Sequence, residues 1–517
     1  MTDAWAIDVG QLLRRGAIRN PRKLAIIWEE GERTYGDLLR RVDRLSHALA
    51  ALGVRRGDRV GLLFQNGPEF LESWWAVAQL GAIVVSLSTR LLPRDLVYML
   101  NDAEASAVLA GEEFLELLGD LRGQVPSLRL LVGQGHHPGP GVVPFDELAE
   151  GPAVAPPRLD LALSDPCAMY YTAGTTGVSK GVVRSHLSVT WGLALIAARI
   201  PASEMYLARA PMYHTGGSLT GPFAALAAGA TLVSLRHFDA RTLLQAVERY
   251  RVSRLYVHPT LVANAIFEEL DRHPYDLSSV RYIQWTAGPL PEAVRARILE
   301  RFPGLPLETT YGMTEVSNIA SYEYAGGPLK PANCVGLGPP GTELRILDDD
   351  DAALPAGAVG EVGVRSPTAM SGYWRDPART APVLANGWVH TGDLGYLDDE
   401  GYLHLAGRQK DAIKTAGETV HASEVEDVLA GLPALAEAAV VGLPDPTWGE
   451  AVSAIVIPRP GATVTEREII AHCRTQLAGF KCPKRVIFVE SIPKNPVGKV
   501  LKRELVQRYG GHEPGGG

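Results

Sequence analysis

Short apolar runs alternate with amphipathic helical stretches along most of this chain, and that alternation restricts it to folds built on largely parallel sheets covered by helices. Residues 25–28 read as a strand. From Tyr35-Gly36-Asp37 a helix opens whose apolar positions Leu38, Val42, Leu45, Leu49 and Leu52 step by four and three, and Gly53 stops it as a C-cap. A strand over 60–64, a helix over 69–80 and a strand over 83–87 repeat the rhythm. It resumes at 230–234 (strand), 240–250 (helix), 255–257 and 282–286 (strands). Around 325–405 the texture changes to short strands cut by Pro and Gly, such as 343–347 and 360–365, which reads as a small β subdomain. After Gly407-Arg408-Gln409-Lys410-Asp411 an α+β pattern runs from Val425 to about Tyr509, so a domain boundary is expected at Lys410, dividing the chain into 1–409 and 410–517. The tail 510–517 reads as disordered.

At 517 residues the chain is too long for one core and calls for about three domain-sized units. Its 46% apolar content supplies those cores, and 21% charged residues place it among soluble globular chains. No apolar run approaches the ~18 residues needed to span a bilayer, and the start Met1-Thr2-Asp3-Ala4-Trp5 lacks a secretion signal's pattern, so a cytoplasmic location is expected without membrane insertion. A net charge of −8 with both signs intermixed argues against a nucleic-acid surface. The four cysteines, Cys167, Cys334, Cys473 and Cys482, show neither CxxC spacing nor a paired framework, which fits a reducing compartment and no zinc site. His136-His137 lies in a Gly/Pro-rich loop.

The stretch Thr172 to Gly181 carries the most chemistry. Gly174, Gly177 and Gly181 let the backbone turn its N–H groups toward phosphate oxygens, Thr172, Thr175, Thr176 and Ser179 add hydroxyls, and Lys180 adds a charge. It follows an apolar strand over 167–171, a strand end being where α/β folds place ligands. The spacing Gly174-x2-Gly177-x2-Lys180 followed by Gly181 is not GxxxxGK[ST], so a kinase or GTPase loses ground; read alone, the residues also suit a Gly/Thr-rich surface turn.

Four further elements complete a constellation. In Thr309-Thr310-Tyr311-Gly312-Met313-Thr314-Glu315, Glu315 suits Mg²⁺, Thr314 offers a hydroxyl and Tyr311 an aromatic face for a purine. In Val389-His390-Thr391-Gly392-Asp393, Asp393 follows a tight Gly turn and suits the two hydroxyls of a ribose. Arg408 and Lys410 stand at the boundary, and Pro493-Lys494-Asn495-Pro496-Val497-Gly498-Lys499 presents Lys499 on a loop. Singly, each has a bland alternative as a solvated carboxylate, rim aromatic, Asx turn or surface lysine.

In order and spacing, the five elements resemble the core motifs of the acyl-adenylate-forming superfamily, in its acyl-CoA synthetase branch of fatty-acid and aryl-acid CoA ligases. The similarity runs from Tyr35-Gly36-Asp37-Leu38 to Lys499 and extends to Pro211-Met212-Tyr213-His214, Met370-Ser371-Gly372-Tyr373-Trp374 and Ile413-Lys414-Thr415-Ala416-Gly417-Glu418. It implies a large N-terminal domain of parallel-rich α/β sheets plus the β subdomain, followed by a small mobile α+β domain. It also implies an enzyme that joins a carboxylic acid to ATP, releasing pyrophosphate, and passes the acyl group of acyl-AMP to coenzyme A, with Mg²⁺ as cofactor.

By that resemblance Thr172, Gly174, Thr175, Thr176, Gly177 and Lys180 hold the β- and γ-phosphates, Glu315 the Mg²⁺, Thr314 the α-phosphate, and Tyr311 and Gly288 the adenosine side. Asp393 and Arg408 bind the ribose, and Lys499 stabilises charge between carboxylate and α-phosphate. Lys410 is the hinge about which the C-terminal domain turns, bringing Lys414, Ala416 and Gly417 to the adenylate and the pantetheine tunnel. An acyl pocket is expected from Tyr213, His214, Gly216, Tyr256, Trp285, Thr286 and Met313, with Gly216 and Gly217 leaving space for a bulky hydrophobic acid. His214 reads equally as a packed core histidine.

The chain departs from the family pattern at Ala173, Ser179 and Ala416, where Ser, Pro and Gly are frequent, and this bears on the relative speed of the two half-reactions. No acid stands in Tyr213-His214-Thr215-Gly216-Gly217 to pair a substrate ammonium, so a non-amino acid is favoured. The alternatives are an enzyme proficient in one half-reaction, an enzyme loading a separate carrier protein, and a silent nucleotide-binding scaffold; a homodimer is compatible with all of them.

Overall fold

The computed structural model describes residues 9–135, 139–152, 159–172, 179–286, 290–324, 329–415, 418–494 and 500–510. Local signals set the element ends. The helix Tyr35–Ala51 starts because the Thr34 side chain accepts the Asp37 amide at 3.1 Å. It stops in a Schellman turn: Gly53 takes φ 93°, its amide donates to Ala50 O, and the Val54 amide donates to Leu49 O at 2.9 Å. Leu38, Val42, Leu45 and Leu49 are fully sequestered from water on the face that the four-and-three stepping marks.

Four sheets follow. The first has eight strands in the order Ser317–Tyr324, Leu307–Met313, Tyr282–Thr286, Arg254–Tyr256, Met205–Ala208, Thr231–Ser234, Leu24–Trp28, Gly31–Thr34, parallel except at its two edges. The second runs Gly372–Tyr373, Lys180–Ser185, Pro166–Thr172, Ile83–Ser86, Arg59–Leu63, Ala107–Ala110, Leu130–Gly133, Val143–Pro144, and is antiparallel only at the Gly372 end. A third, antiparallel throughout, joins Cys334–Gly336, Leu403–Arg408, Trp388–Leu397, Gly360–Arg365 and Glu343–Leu347, with Leu384–Ala385 on Trp388–Leu397. The fourth joins Glu418–His421, Ala412–Thr415, Gly449–Pro458, Leu435–Asp445 and Arg485–Phe488 beside helices Ala422–Ala430, Glu466–Arg474 and Lys502–Tyr509. The fold is thus mixed α/β, with large N-terminal sheets and a smaller β-rich C-terminal unit.

One continuous core, including Trp74, Trp75, Phe70, Phe223 and Tyr213, fills the space on the inner face of the first sheet. A second core, built on Leu243, Val247, Ile266, Phe267 and Ile298, covers its outer face. On the inner face Arg254 bonds Glu204 at 3.1 Å and Glu308 at 2.8 Å, so the buried guanidinium has carboxylates on two sides.

Candidate active site

The strands that flank the Gly/Thr-rich segment are neighbours: Pro166–Thr172 pairs antiparallel with Lys180–Ser185, with Thr172 opposite Lys180. Ala173, Gly174, Thr175, Thr176 and Gly177 lie outside the described residues. Lys180 Nζ stands 4.2 Å from the centre of the Tyr373 ring, and burial lowers its pKa against the opposing pull of Glu315.

Glu315 sits in the turn between strands Leu307–Met313 and Ser317–Tyr324. That turn is tight enough that a Cβ on Gly312 would lie 1.9 Å from the Ser317 carbonyl oxygen, so only glycine fits. The Glu315 side chain is buried, and the Tyr373 hydroxyl donates to its Oε1 at 2.9 Å. Burial, then the Glu315 carboxylate, hold the Tyr373 phenol far above its ordinary range. Behind the turn stands Arg184, fully buried in the Lys180 strand. It donates to Thr314 O and Ser317 Oγ, both at 2.9 Å, and to Thr368 O at 2.8 Å. Desolvation pulls its pKa down to about 10.

Asp393 lies opposite Arg408 in the third sheet, and Arg408 Nε reaches Asp393 Oδ1 at 2.7 Å. The Tyr311 hydroxyl donates to Asp393 Oδ2 at 2.5 Å, and burial together with that carboxylate pushes the Tyr311 phenol well up. The structure therefore brings Tyr311, Asp393 and Arg408 into one chain, and joins Lys180 to Glu315 through Tyr373. Each Asp393 oxygen keeps lone pairs beyond these bonds, so the carboxylate can still accept hydroxyls.

The expected acyl-pocket residues divide. Tyr213 is buried, its ring 4.7 Å from that of His214, and the Tyr213 hydroxyl and His214 Nε2 have no hydrogen-bond partner among the described residues. Tyr256 lies on the inner face, its hydroxyl bonded to that of Tyr206. Trp285 does not join it. Tyr256 is in register with Gln284, so Trp285, one residue on, points to the outer core and packs edge-on against His258 at 4.9 Å. Gly217 likewise departs from expectation. A Cβ there would lie 1.9 Å from Pro211 O, so its smallness serves a backbone crossing; only Gly216 faces open space. Thr286 and Met313 end the strands Tyr282–Thr286 and Leu307–Met313, and both are half-buried.

In the C-terminal unit, Lys414 lies on Ala412–Thr415 and its amide donates to Glu450 Oε2 at 2.6 Å. Lys410 falls in the short 3-10 turn Gln409–Asp411. Gly288, Ala416, Gly417, Lys499 and the His136-His137 loop lie outside the described residues. Arg184 and the Tyr373 bridge escaped sequence reasoning. A charged residue inside the Val-rich run Gly181-Val182-Val183-Arg184 was the available signal for the first; none marked which partner Tyr373 would take.

Among the described residues no group of three or more His, Cys, Asp or Glu side chains is assembled to hold a metal. One buried carboxylate is nonetheless the donor set that suits Mg²⁺, which takes its remaining ligands from phosphates and water. No helix among them is long and apolar enough to cross a membrane.

A lysine on the strand after the Gly/Thr-rich segment, a buried carboxylate in a turn of the first sheet, and an Asp–Arg pair of the third sheet bonded to Tyr311 fit a nucleotide-using α/β enzyme. The chain belongs to the AMP-binding enzyme family: the family model matches residues 13–374, and the model of the AMP-binding enzyme C-terminal domain matches 424–499. It is 35% identical over 502 residues to a feruloyl-CoA synthase of an Amycolatopsis species, covering 96% of this chain and 98% of the other. It is 33% identical over 512 residues to an indoleacetate–CoA ligase of Aromatoleum aromaticum, covering 97% and 99%. Its fold matches the anthranilate CoA ligase AuaEII solved with anthranoyl-AMP, with TM-score 0.89 and 28% identity over 97% of each chain. The chain is an ATP-dependent, AMP-forming acid–thiol ligase.

Proposed function

We propose that this enzyme activates an aryl carboxylic acid, in preference to a long-chain fatty acid, and transfers it to coenzyme A. In the first step a carboxylate oxygen attacks the α-phosphorus of ATP, a new O–P bond forms and pyrophosphate leaves. In the second, the thiolate of coenzyme A attacks the acyl carbonyl and AMP leaves. Lys180 with Thr172, Gly174, Thr175, Thr176 and Gly177 would neutralise the β- and γ-phosphates, and Thr314 would hold the α-phosphate. Asp393 and Arg408 would hold the ribose, with Tyr311 and Gly288 beside the adenine. Glu315 would carry Mg²⁺, which spreads phosphate charge when bound. Lys499 would stabilise the charge that builds as one anion meets another, and Lys414, Ala416 and Gly417 would serve the thioester step.

The observation that carries the acid's class is the pair Tyr213 and His214. Two adjacent rings, tilted 57° to one another, offer apolar faces, while the Tyr213 hydroxyl and His214 Nε2 are buried without partners among the described residues. A polar-substituted ring can satisfy such atoms; a saturated chain leaves them unpaired, at about 1–3 kcal/mol each. Named relatives acting on ferulate, indoleacetate and anthranilate support the same direction.

The test is a panel of cinnamic, benzoic, indole-acetic and saturated C8–C16 acids, with pyrophosphate and thioester followed together. Hydroxylated aryl acids are expected to show kcat/KM about 10-fold or more above the fatty acids. A fatty acid at the head of the panel refutes the aryl assignment. Lys499→Ala is expected to cost on the order of 10²-fold in pyrophosphate release; an undiminished rate removes Lys499 from the adenylation step.

A further inference from the structure

We propose that Tyr373 is a positioning residue that sets the spacing between Lys180 and Glu315, and so couples the phosphate cation to the metal-binding carboxylate; this rests on the roles proposed above for those two residues.

Three independent constraints fix Tyr373. Its strand, Gly372–Tyr373, adds to the edge of the second sheet beside Lys180–Ser185, with Tyr373 opposite Val182 and the Trp374 amide donating to Gly181 O at 2.7 Å. The Tyr373 amide is held by Thr380 Oγ1 at 2.9 Å, and Thr380 Oγ1 is itself tied to Asp376 O. The Met370 amide, three residues earlier, donates to the Glu315 carbonyl at 2.7 Å, so the same segment grips both neighbours by their backbones. Only 7% of Tyr373 is exposed.

Held this way, the side chain makes one contact with each partner. The ring face receives the Lys180 ammonium at 4.2 Å, and the hydroxyl donates to Glu315 Oε1 at 2.9 Å. A cation over a ring face is attracted without being neutralised, so Lys180 keeps its charge for phosphate. A carboxylate that accepts one hydrogen bond at Oε1 keeps Oε2 and further lone pairs for a hard cation, and its rotamer is fixed. Lys180 and Glu315 have opposite charges in a partly buried site, and without an intervening group they would approach and pair. The ring keeps them apart while the hydroxyl ties them to one frame. The contacts thus separate by chemistry: Phe at 373 keeps the ring and loses the hydroxyl, whereas Leu loses both.

The experiment is calorimetric titration of ATP into the full chain, with Mg²⁺ and with EDTA, for wild type, Tyr373→Phe and Tyr373→Leu. It is accompanied by two rates: pyrophosphate release with the preferred acid, and thioester formation from synthetic acyl-AMP plus coenzyme A. Tyr373→Phe is expected to bind ATP in EDTA like wild type, to require ~10-fold more Mg²⁺ for half-maximal pyrophosphate release, and to weaken ATP binding in Mg²⁺. Tyr373→Leu is expected to weaken ATP binding in EDTA as well. Both should form thioester from acyl-AMP within about twofold of wild type, because that step uses neither the outer phosphates nor their metal. An unchanged Mg²⁺ requirement in Tyr373→Phe overturns the proposal, as does an equal loss in both half-reactions, which marks a merely structural residue. Wild-type chain that binds ATP yet turns over no acid refutes the ligase reading alone, and the titrations then decide the role of Tyr373.

Discussion

His214 carries no proton at neutral pH, because burial holds its imidazole down to about 4, with Arg90 adding to the effect. The ordinary value is near 6.5, so between the two the unfolded chain takes up a proton that the native site refuses. Stability therefore falls as pH drops from 6.5 to 4, by at most about 3 kcal/mol for this group. His214→Asn removes the titrating ring, and we expect the gap in thermal midpoint between variant and wild type to narrow steadily over that range. A gap constant with pH would show that His214 is solvated. At this scale the sequence singles out Lys180, Glu315, Asp393 and Arg408, since polar residues flanked by Gly and Thr announce themselves. It was a poor guide to Arg184 and Tyr373, whose partners stand 133 residues (Ser317) and 58 residues (Glu315) away along the chain.

Between neighbouring elements the site depends on close backbone approach and on one buried cation. Gly312→Ala would drive a methyl into the Ser317 carbonyl and unpair the tip that carries Glu315, so we expect a large fall in thermal midpoint together with loss of pyrophosphate release. Arg184→Met would leave the carbonyls of Thr314 and Thr368 without their guanidinium donors, at about 1–3 kcal/mol each. Arg184→Lys, with one ammonium for a forked group, should recover only part, read as an intermediate thermal midpoint. The helix 35–51, the helix Ala240–Tyr250 and the strands Tyr282–Thr286, Glu343–Leu347 and Gly360–Arg365 were legible in the sequence because periodicity and turn residues agreed there. The facing of Trp285 was not, since it is fixed by the register of Gln284 with Tyr256 and of Trp285 with Thr309, which no local signal encodes.

For the whole molecule, the α/β class and the β-rich unit that follows were readable from rhythm alone, whereas four separate sheets were not, because pairing partners are long-range. We propose that Lys410 is the hinge. Lys410→Pro would fix φ at that position, and we expect it to separate the half-reactions, one rate falling at least ~10-fold while the other holds. Equal rates in both would place the pivot elsewhere.

The second sheet leaves its edge open for a long stretch of chain. Lys180–Ser185 receives its outer neighbour, Gly372–Tyr373, only after roughly 190 further residues. At a ribosome's pace of about 5–20 residues per second, that strand waits on the order of 10–40 s with bare amides and carbonyls. Nascent chains of this enzyme therefore pass through a window in which a foreign strand can occupy the place of Gly372–Tyr373. Slow translation between residues 185 and 372 should lengthen it, and a chaperone that shields that edge should raise the yield of active protein.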